Sequence, residues 1–330
     1  MNNLNIAIIG GSGFVGTYLA KRLNKQRLKY KICDKVTNSE SDETLYVNVE
    51  KYSSLSVLKN FNCIINLAAV HRDDVRPLSR YDDVNVEGAK NVCSAAIENN
   101  INKIIFTSSV AIYGFAPPNT GEDGDPNYFN DYGRTKFAAE QVYKKWQKED
   151  PTNRSLVIIR PTVIFGEGNR GNVYNLLKQI FSKKFVMLGD GKNKKSMAYV
   201  KNVAAFIEYS TRFDSGIHIY NYIDKPDFDM NELVSVARKT MFKKNNIGLR
   251  LPPILGFLIG YTADFFTKVT KINLPVSSIR IKKFLGTTQF SSSIKNTGFV
   301  PPYSLEQALV KTIEYEFIEN NKDKKTFLTE

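Results

Sequence analysis

Apolar and polar positions alternate along this chain in two rhythms. The runs "NIAIIG", "KYKICD", "CIINLAA", "KIIFTSS" and "SLVIIRPTVIFG" are short and β-rich, and read as strands. Between them a stretch starting near Phe14, then "VNVEGAKNVCSAAIENN" and "YGRTKFAAEQVYKKW", carries the longer helical period. Strands that alternate with helices predict a parallel sheet covered on both faces, a doubly wound α/β domain over residues 1–165. After about residue 166 the pattern loosens into the lysine-rich turn "LGDGKNKKS" and a polar-apolar mixture that runs to residue 300. Within it, "YVKNVAAFIEY" predicts a return to the sheet domain near residues 199–222, so residues 166–330 are expected to form mainly a smaller substrate lobe. No internal repeat or low-complexity linker interrupts the chain.

With 330 residues, 42% hydrophobic and 12% aromatic, the chain can bury a sizeable core, which excludes a disordered class. Cys33, Cys63 and Cys93 stand singly, so neither a disulfide framework nor a metal site is signalled. "MNNLNIAIIGGSGFVG" lacks the basic flank, long apolar run and cleavage site of a signal peptide, and a cytoplasmic location is expected.

Charge changes the picture more than composition does. Lys and Arg outnumber Asp and Glu by 21 to 18 in residues 1–165 and by 25 to 15 in residues 166–330. An excess concentrated in the second half points to an anionic partner, either substrate phosphates or an anionic membrane surface. No aromatic RNA-binding pattern or zinc finger accompanies it, so nucleic acid is not expected.

Gly10, Gly11, Gly13 and Gly16 lie between the first strand and the first helix. Such a turn lets backbone approach a pyrophosphate, with the helix N-terminus favouring the anion. About 20 residues on, Asp34 ends the second strand where a carboxylate holds ribose hydroxyls, which favours NAD over its 2′-phosphate analogue. Further along, "NDYGRTKFAAEQ" sets Tyr132 and Lys136 one helical turn apart, in a chain with only two histidines, His71 and His218. A phenol titrates near ~10 and serves as a base at neutral pH only beside a cation, which Lys136 supplies. Upstream, Thr107, Ser108 and Ser109 end a strand where a hydroxyl can reach the reacting oxygen.

Gly10, Gly13, Gly16, Asp34, Ser109, Tyr132 and Lys136, in this order and spacing, resemble the extended short-chain dehydrogenase/reductase family, sugar epimerase and dehydratase branch. The resemblance runs from residue 4 to about 316 through "LAAVHRDDV", "DVNVEGAKNV", "IIRPTVIFGEGN" and "TGFVPPYSLEQALVKTIEYE". It implies a Rossmann fold, with Ser109 polarising the substrate, Tyr132 as acid and base, and Lys136 tuning Tyr132 and holding the nicotinamide ribose. It further implies NAD contacts from Ser12, Phe14, Val15, Asn48, Val49, Leu67, Ala68, Ala69, Thr107, Pro161 and Val163. Substrate contacts are expected from His71, Arg72, Asn85, Tyr113, Arg170, Asn172, Lys195 and Arg280. A homodimer paired through two helices of the sheet domain is also implied.

Dehydratases of this branch carry proton-transferring residues just after the catalytic hydroxyl. Here Val110 and Ala111 follow Ser109, so epimerisation or reduction is expected instead. The nucleotide-gripping motifs common in the family are also altered. Lys195 stands at an arginine position, and "SSIRIKKFLGTTQFSSS" lacks the second motif. Residues 249–274 include an apolar run from Leu251 to Tyr261, shorter than the ~18 to 20 residues that span a bilayer but suited to an interface.

Together these features resemble the branch of 4-epimerases that act on N-acetylglucosamine linked to undecaprenyl diphosphate. The resemblance implies a peripheral enzyme at the inner leaflet, working through a transient 4-keto sugar with hydride held on tightly bound NAD. A soluble UDP-N-acetylglucosamine 4-epimerase and a 4-keto-sugar reductase are the alternatives.

Overall fold

The computed structural model describes residues 4–36, 44–72, 75–270, 278–321 and 325–328. Strands β1 (Asn5–Ile9), β2 (Lys29–Asp34), β3 (Leu45–Tyr46), β4 (Cys63–Asn66), β5 (Lys103–Thr107), β6 (Ser155–Pro161) and β7 (Gly216–Tyr222) form one sheet in the order β7-β6-β5-β4-β1-β2-β3. Every pairing in it is parallel. Both β4 and β6 are buried along their whole length, which is why Cys63–Ile65 and Leu156–Ile159 run apolar without a gap.

The main helices are α1 (Phe14–Lys25), α2 (Gly88–Glu98), α3 (Asp131–Lys148), α4 (Asn172–Phe181), α5 (Val200–Ser210), α6 (Met230–Phe242), α7 (Pro253–Thr270), α8 (Ser278–Leu285) and α9 (Leu305–Ile313). Alternate residues of β1 serve the two faces of the sheet. Ile6 and Ile8 pack with Leu19 and Leu23 of α1 and Val203 and Phe206 of α5. Ala7 and Ile9 pack with Val92 of α2 and Ala139, Tyr143 and Trp146 of α3. Because β1 has β2 on one side and β4 on the other, the chain reverses direction across the sheet at this point, and a crevice opens beyond the C-terminal strand ends.

A separate core joins Leu177 and Ile180 of α4, Leu233 and Val234 of α6, and Ala308 and Leu309 of α9. Two short parallel pairs tie this lobe together, Val163–Phe165 with Met197–Tyr199 and Met187–Leu188 with Arg250–Leu251.

Candidate active site

The glycine turn is built by close approach. Gly10 has φ +76°, and a Cβ there would lie 2.7 Å from the Ala68 nitrogen, so both backbone conformation and space exclude a side chain. At Gly13 an added Cβ would meet only the Gly10 carbonyl, at 3.3 Å. Gly13 is also the N-cap of α1 and supplies no capping side chain, so the first N–H groups of the helix are left to an anion. Asp34 is held against this turn, its Oδ2 accepting from Ser12 N at 2.9 Å and its Oδ1 from Val36 N at 3.1 Å. Each carboxylate oxygen keeps a further lone pair for a hydroxyl.

The C-terminal segment returns to the same place, which nothing in the sequence announced. Phe327 packs on Phe14 with ring centroids 5.5 Å apart, and its backbone bonds to Gly168 and Arg170. Lys325 Nζ donates to the Ser12 carbonyl at 3.4 Å.

The candidate catalytic residues lie beyond β5. Ser109 leaves the strand in extended conformation, and its Oγ accepts from Ala111 N at 3.1 Å, which orients the hydroxyl and leaves its O–H to donate to an incoming oxygen. Helix α3 starts at the cap Asn130, whose side chain accepts from Gly133 N at 2.9 Å. A Cβ on Gly133 would sit 2.5 Å from the Ala111 carbonyl oxygen, so the first turn of α3 presses on the turn that follows Ser109. Tyr132, half-buried, stands in that first turn.

One turn further, Lys136 is only 2% exposed, with Nζ 4.3 Å from the centroid of the Phe106 ring. Burial pushes its pKa down to about 7, with the Glu140 carboxylate pulling the other way. Glu140 is itself buried and takes a bidentate pair from Arg160, at 2.9 Å and 2.7 Å. A half-buried phenol backed by a buried cation, beside an oriented hydroxyl, can exchange a proton with a substrate hydroxyl while polarising it.

Residues 6–221 match the model of the NAD dependent epimerase/dehydratase family. The chain belongs to this family. It is 47% identical over 332 residues, covering 99% of this chain and 100% of the relative, to the N-acetyl-alpha-D-glucosaminyl-diphospho-ditrans,octacis-undecaprenol 4-epimerase of Escherichia coli O157:H7. Its fold matches the UDP-N-acetylglucosamine 4-epimerase from Bacillus cereus with TM-score 0.73 and 18% identity over 94% of this chain and 98% of that one. The UDP-glucose 4-epimerase of Thermus thermophilus in complex with NAD matches with TM-score 0.71 and 16% identity, over 94% and 98%.

The cofactor of this epimerase/dehydratase is NAD, and the residues fit it. The cradle around Gly10 and Gly13 has no room for side chains on its strand side and is open on the other, and Asp34 ends β2 beside it. When bound, NAD supplies the hydride acceptor for oxidation at a sugar carbon. Asn48 and Val49 follow β3, Leu67 to Ala69 follow β4, Thr107 ends β5, and Pro161 ends β6 two residues before Val163, so all lie toward the C-terminal ends of the strands, with the glycine turn.

The expected substrate residues divide. His71 and Arg72 are exposed after β4, and Asn172 is exposed at the start of α4. The side chain of Arg280 lies outside the described residues. Four others have partners within the protein. Tyr113 is fully buried, its OH donating to Asn221 and accepting from Arg160 Nη1 at 2.6 Å, so it props the core beneath the site. Asn85 is buried, with Oδ1 accepting from Val70 N and Nδ2 donating to Val70 O and to Thr135 Oγ1, which makes it a brace between the β4 loop and α3. Lys195 donates to the Lys283 and Gly286 carbonyls and so caps the end of α8. Arg170 is paired with Glu316 at 2.7 Å and lies over the Tyr174 ring.

Sequence reading missed Phe106, Gly133, Thr135, Glu140 and Arg160. Gly133 alone carried a signal, as a glycine one residue after Tyr132 inside a helix that has no conformational use for it.

Proposed function

We propose that the protein is a 4-epimerase that interconverts N-acetylglucosamine and N-acetylgalactosamine carried on undecaprenyl diphosphate. The observation that carries this reading is the 47% identity with the Escherichia coli enzyme, which extends through the second half of the chain as well as the cofactor domain. Ser109 donates to the C4 oxygen, Tyr132 takes the C4 hydroxyl proton, and Lys136 stabilises the phenolate that Tyr132 uses. Once the 4-keto sugar has turned over, the hydride held on bound NAD would return to the other face of C4 and Tyr132 would return the proton to the C4 oxygen. The turn after Ser109 offers no acid or base for elimination of water, since Val110 and Ala111 occupy it. No net oxidation occurs, so catalytic amounts of NAD suffice.

His71, Arg72, Asn172 and Arg280 remain the candidates to hold the sugar and its diphosphate. The lipid-linked substrate supports work at the cytoplasmic surface of a membrane, and among the described residues no helix is long and apolar enough to cross one. Pairing of two copies through two helices of the sheet domain rests on the family resemblance, and sedimentation showing monomer alone would remove it.

The deciding assay supplies the purified protein with catalytic NAD and two radiolabelled substrates, N-acetylglucosamine on undecaprenyl diphosphate and on UDP. Conversion of the lipid-linked sugar is expected. Conversion of the UDP sugar alone would overturn the reading.

A further inference from the structure

Helix α7 is built the wrong way round for a helix of a water-soluble lobe. An ordinary amphipathic helix buries its large apolar residues and exposes polar ones. Here the buried positions are Gly256, Gly260 and Ala263. A Cβ on Gly256 would lie 2.9 Å from Leu188 Cδ1, and one on Gly260 would lie 2.7 Å from Ile281 Cδ1, so small residues let α7 sink against the lobe and against α8. The large residues face out. Ile254, Leu258, Tyr261, Phe265 and Val269 recur at helical spacing and are 78%, 61%, 62%, 71% and 66% exposed. Leu255, Ile259 and Phe266 widen this stripe, and Ile279 of α8 is exposed as well. Contiguous exposed apolar area on this scale marks an interaction surface.

Charge decides what covers it. Residues 243–283 hold eight basic residues, Lys243, Lys244, Arg250, Lys268, Lys271, Arg280, Lys282 and Lys283, against the one acid Asp264. Asp264 is spent within the hairpin, its Oδ2 accepting from Ser278 N at 3.1 Å at the start of α8. Lys243, Lys244, Lys268, Lys282 and Lys283 are exposed. A second copy docked on this face would bring two cationic rims together with no acid to answer them. An anionic bilayer answers both features, taking the apolar stripe into the headgroup and acyl boundary and the lysines onto its phosphates.

The hairpin is also joined to the catalytic helix. Lys283 Nζ lies 4.9 Å from the centroid of the Phe129 ring, and Phe129 immediately precedes Asn130, the cap of α3. Phe129 stacks on Phe115 with centroids 4.9 Å apart, and both rings are about half exposed. The helix pair α7 and α8 thus reaches the start of α3, where Tyr132 stands, through Lys283 and Phe129.

We propose that the outward face of α7, with the lysines that rim it, is a docking surface that lies flat on an anionic lipid leaflet and presents the site to a substrate anchored there. The inference rests on the lipid-linked reading for its purpose but not for its test.

The full chain is floated with phosphatidylcholine vesicles with and without phosphatidylglycerol. Co-flotation that needs phosphatidylglycerol, weakens with salt and falls at least tenfold in a Leu258→Glu, Phe265→Glu double variant is the expected result. Turnover of a water-soluble, short-prenyl diphosphate-linked N-acetylglucosamine is expected to be unchanged in that variant. A second variant, Lys243→Glu with Lys268→Glu, changes only exposed charges and keeps the test open if the first fails to fold. It too is expected to lose the phosphatidylglycerol dependence. Wild-type protein that ignores phosphatidylglycerol vesicles overturns the proposal. So does a dimer that the double variant dissolves in the absence of vesicle binding, because a second copy is then the occupant. Vesicle binding that the variants abolish, with turnover of the UDP sugar alone, upholds the docking surface and removes the lipid-linked substrate instead.

Discussion

Lys136 places its ammonium 4.3 Å from the centroid of the Phe106 ring, one turn after Tyr132 in the same helix. The ring face partly replaces the water that burial removes, and so keeps a cation possible in a place that otherwise expels it. Tyr132→Phe removes the proton acceptor from this arrangement without touching the glycine turn. Epimerisation is expected to fall by about 10² to 10⁴ fold, with NAD binding retained in a fluorescence titration. A variant that turned over at the wild-type rate would assign the acid and base role elsewhere.

Lys136→Met separates the needs of catalysis from those of stability. Its folded pKa is lowered from 10.5 to about 7, so between those values the unfolded chain holds a proton that the folded chain has released. The stability of the native protein therefore rises with pH through that window, and the penalty is fully present below about 7. The methionine variant is expected to be inactive yet more stable at pH 6, by something on the order of 3 kcal/mol, with the difference shrinking towards pH 10. Urea melts at the two pH values read this directly, and a variant that is equally stable at both would deny the buried cation.

Glu140 raises the pKa of Lys136 and is the buried partner of Arg160. In Glu140→Gln the ammonium loses its nearby anion, so the alkaline limb of the kcat profile is expected to move to lower pH. The guanidinium of Arg160 is left with an uncompensated charge, which destabilises by about 3 to 5 kcal/mol. A pH-rate series shows whether the limb moves. An unmoved limb with lowered stability would make Glu140 purely structural.

Asp34 accepts two backbone N–H groups and fixes the shape of the turn, and it is the residue expected to meet the ribose. Asp34→Asn cannot accept in the same way with both arms. NAD affinity is expected to drop about tenfold to a hundredfold while kcat at saturating NAD changes little. Unchanged affinity would place the ribose elsewhere.

Asn85→Ala removes the brace between Val70 and Thr135, whose hydroxyl also bonds to the Asp131 and Tyr132 carbonyls. The groups left unsatisfied are expected to lower stability by about 1 to 3 kcal/mol. With the first turn of α3 loosened, kcat is expected to fall tenfold or more with NAD affinity held. A fall in NAD affinity alone would tie Asn85 to the cofactor and not to α3.

The parallel sheet, the glycine turn, Asp34 and the set of Ser109, Tyr132 and Lys136 were legible in the order of residues. Each depends on local spacing: an uninterrupted apolar run for a strand covered on both faces, or one helical turn between a phenol and an ammonium. The same spacing could not say where long polar side chains end up. Arg170 and Lys195 read as ligands because their charge suits a diphosphate, and Tyr113 by resemblance alone; in the fold Glu316, the end of α8, and the pair Arg160 and Asn221 hold them. Those partners lie between 47 and 146 positions away along the chain, and only folding brings them within reach. The apolar character of α7 was visible in its composition. Which of its faces is turned outward was decided by the fit of Gly256 and Gly260 against Leu188 and Ile281, a packing constraint between segments that no single stretch of sequence contains.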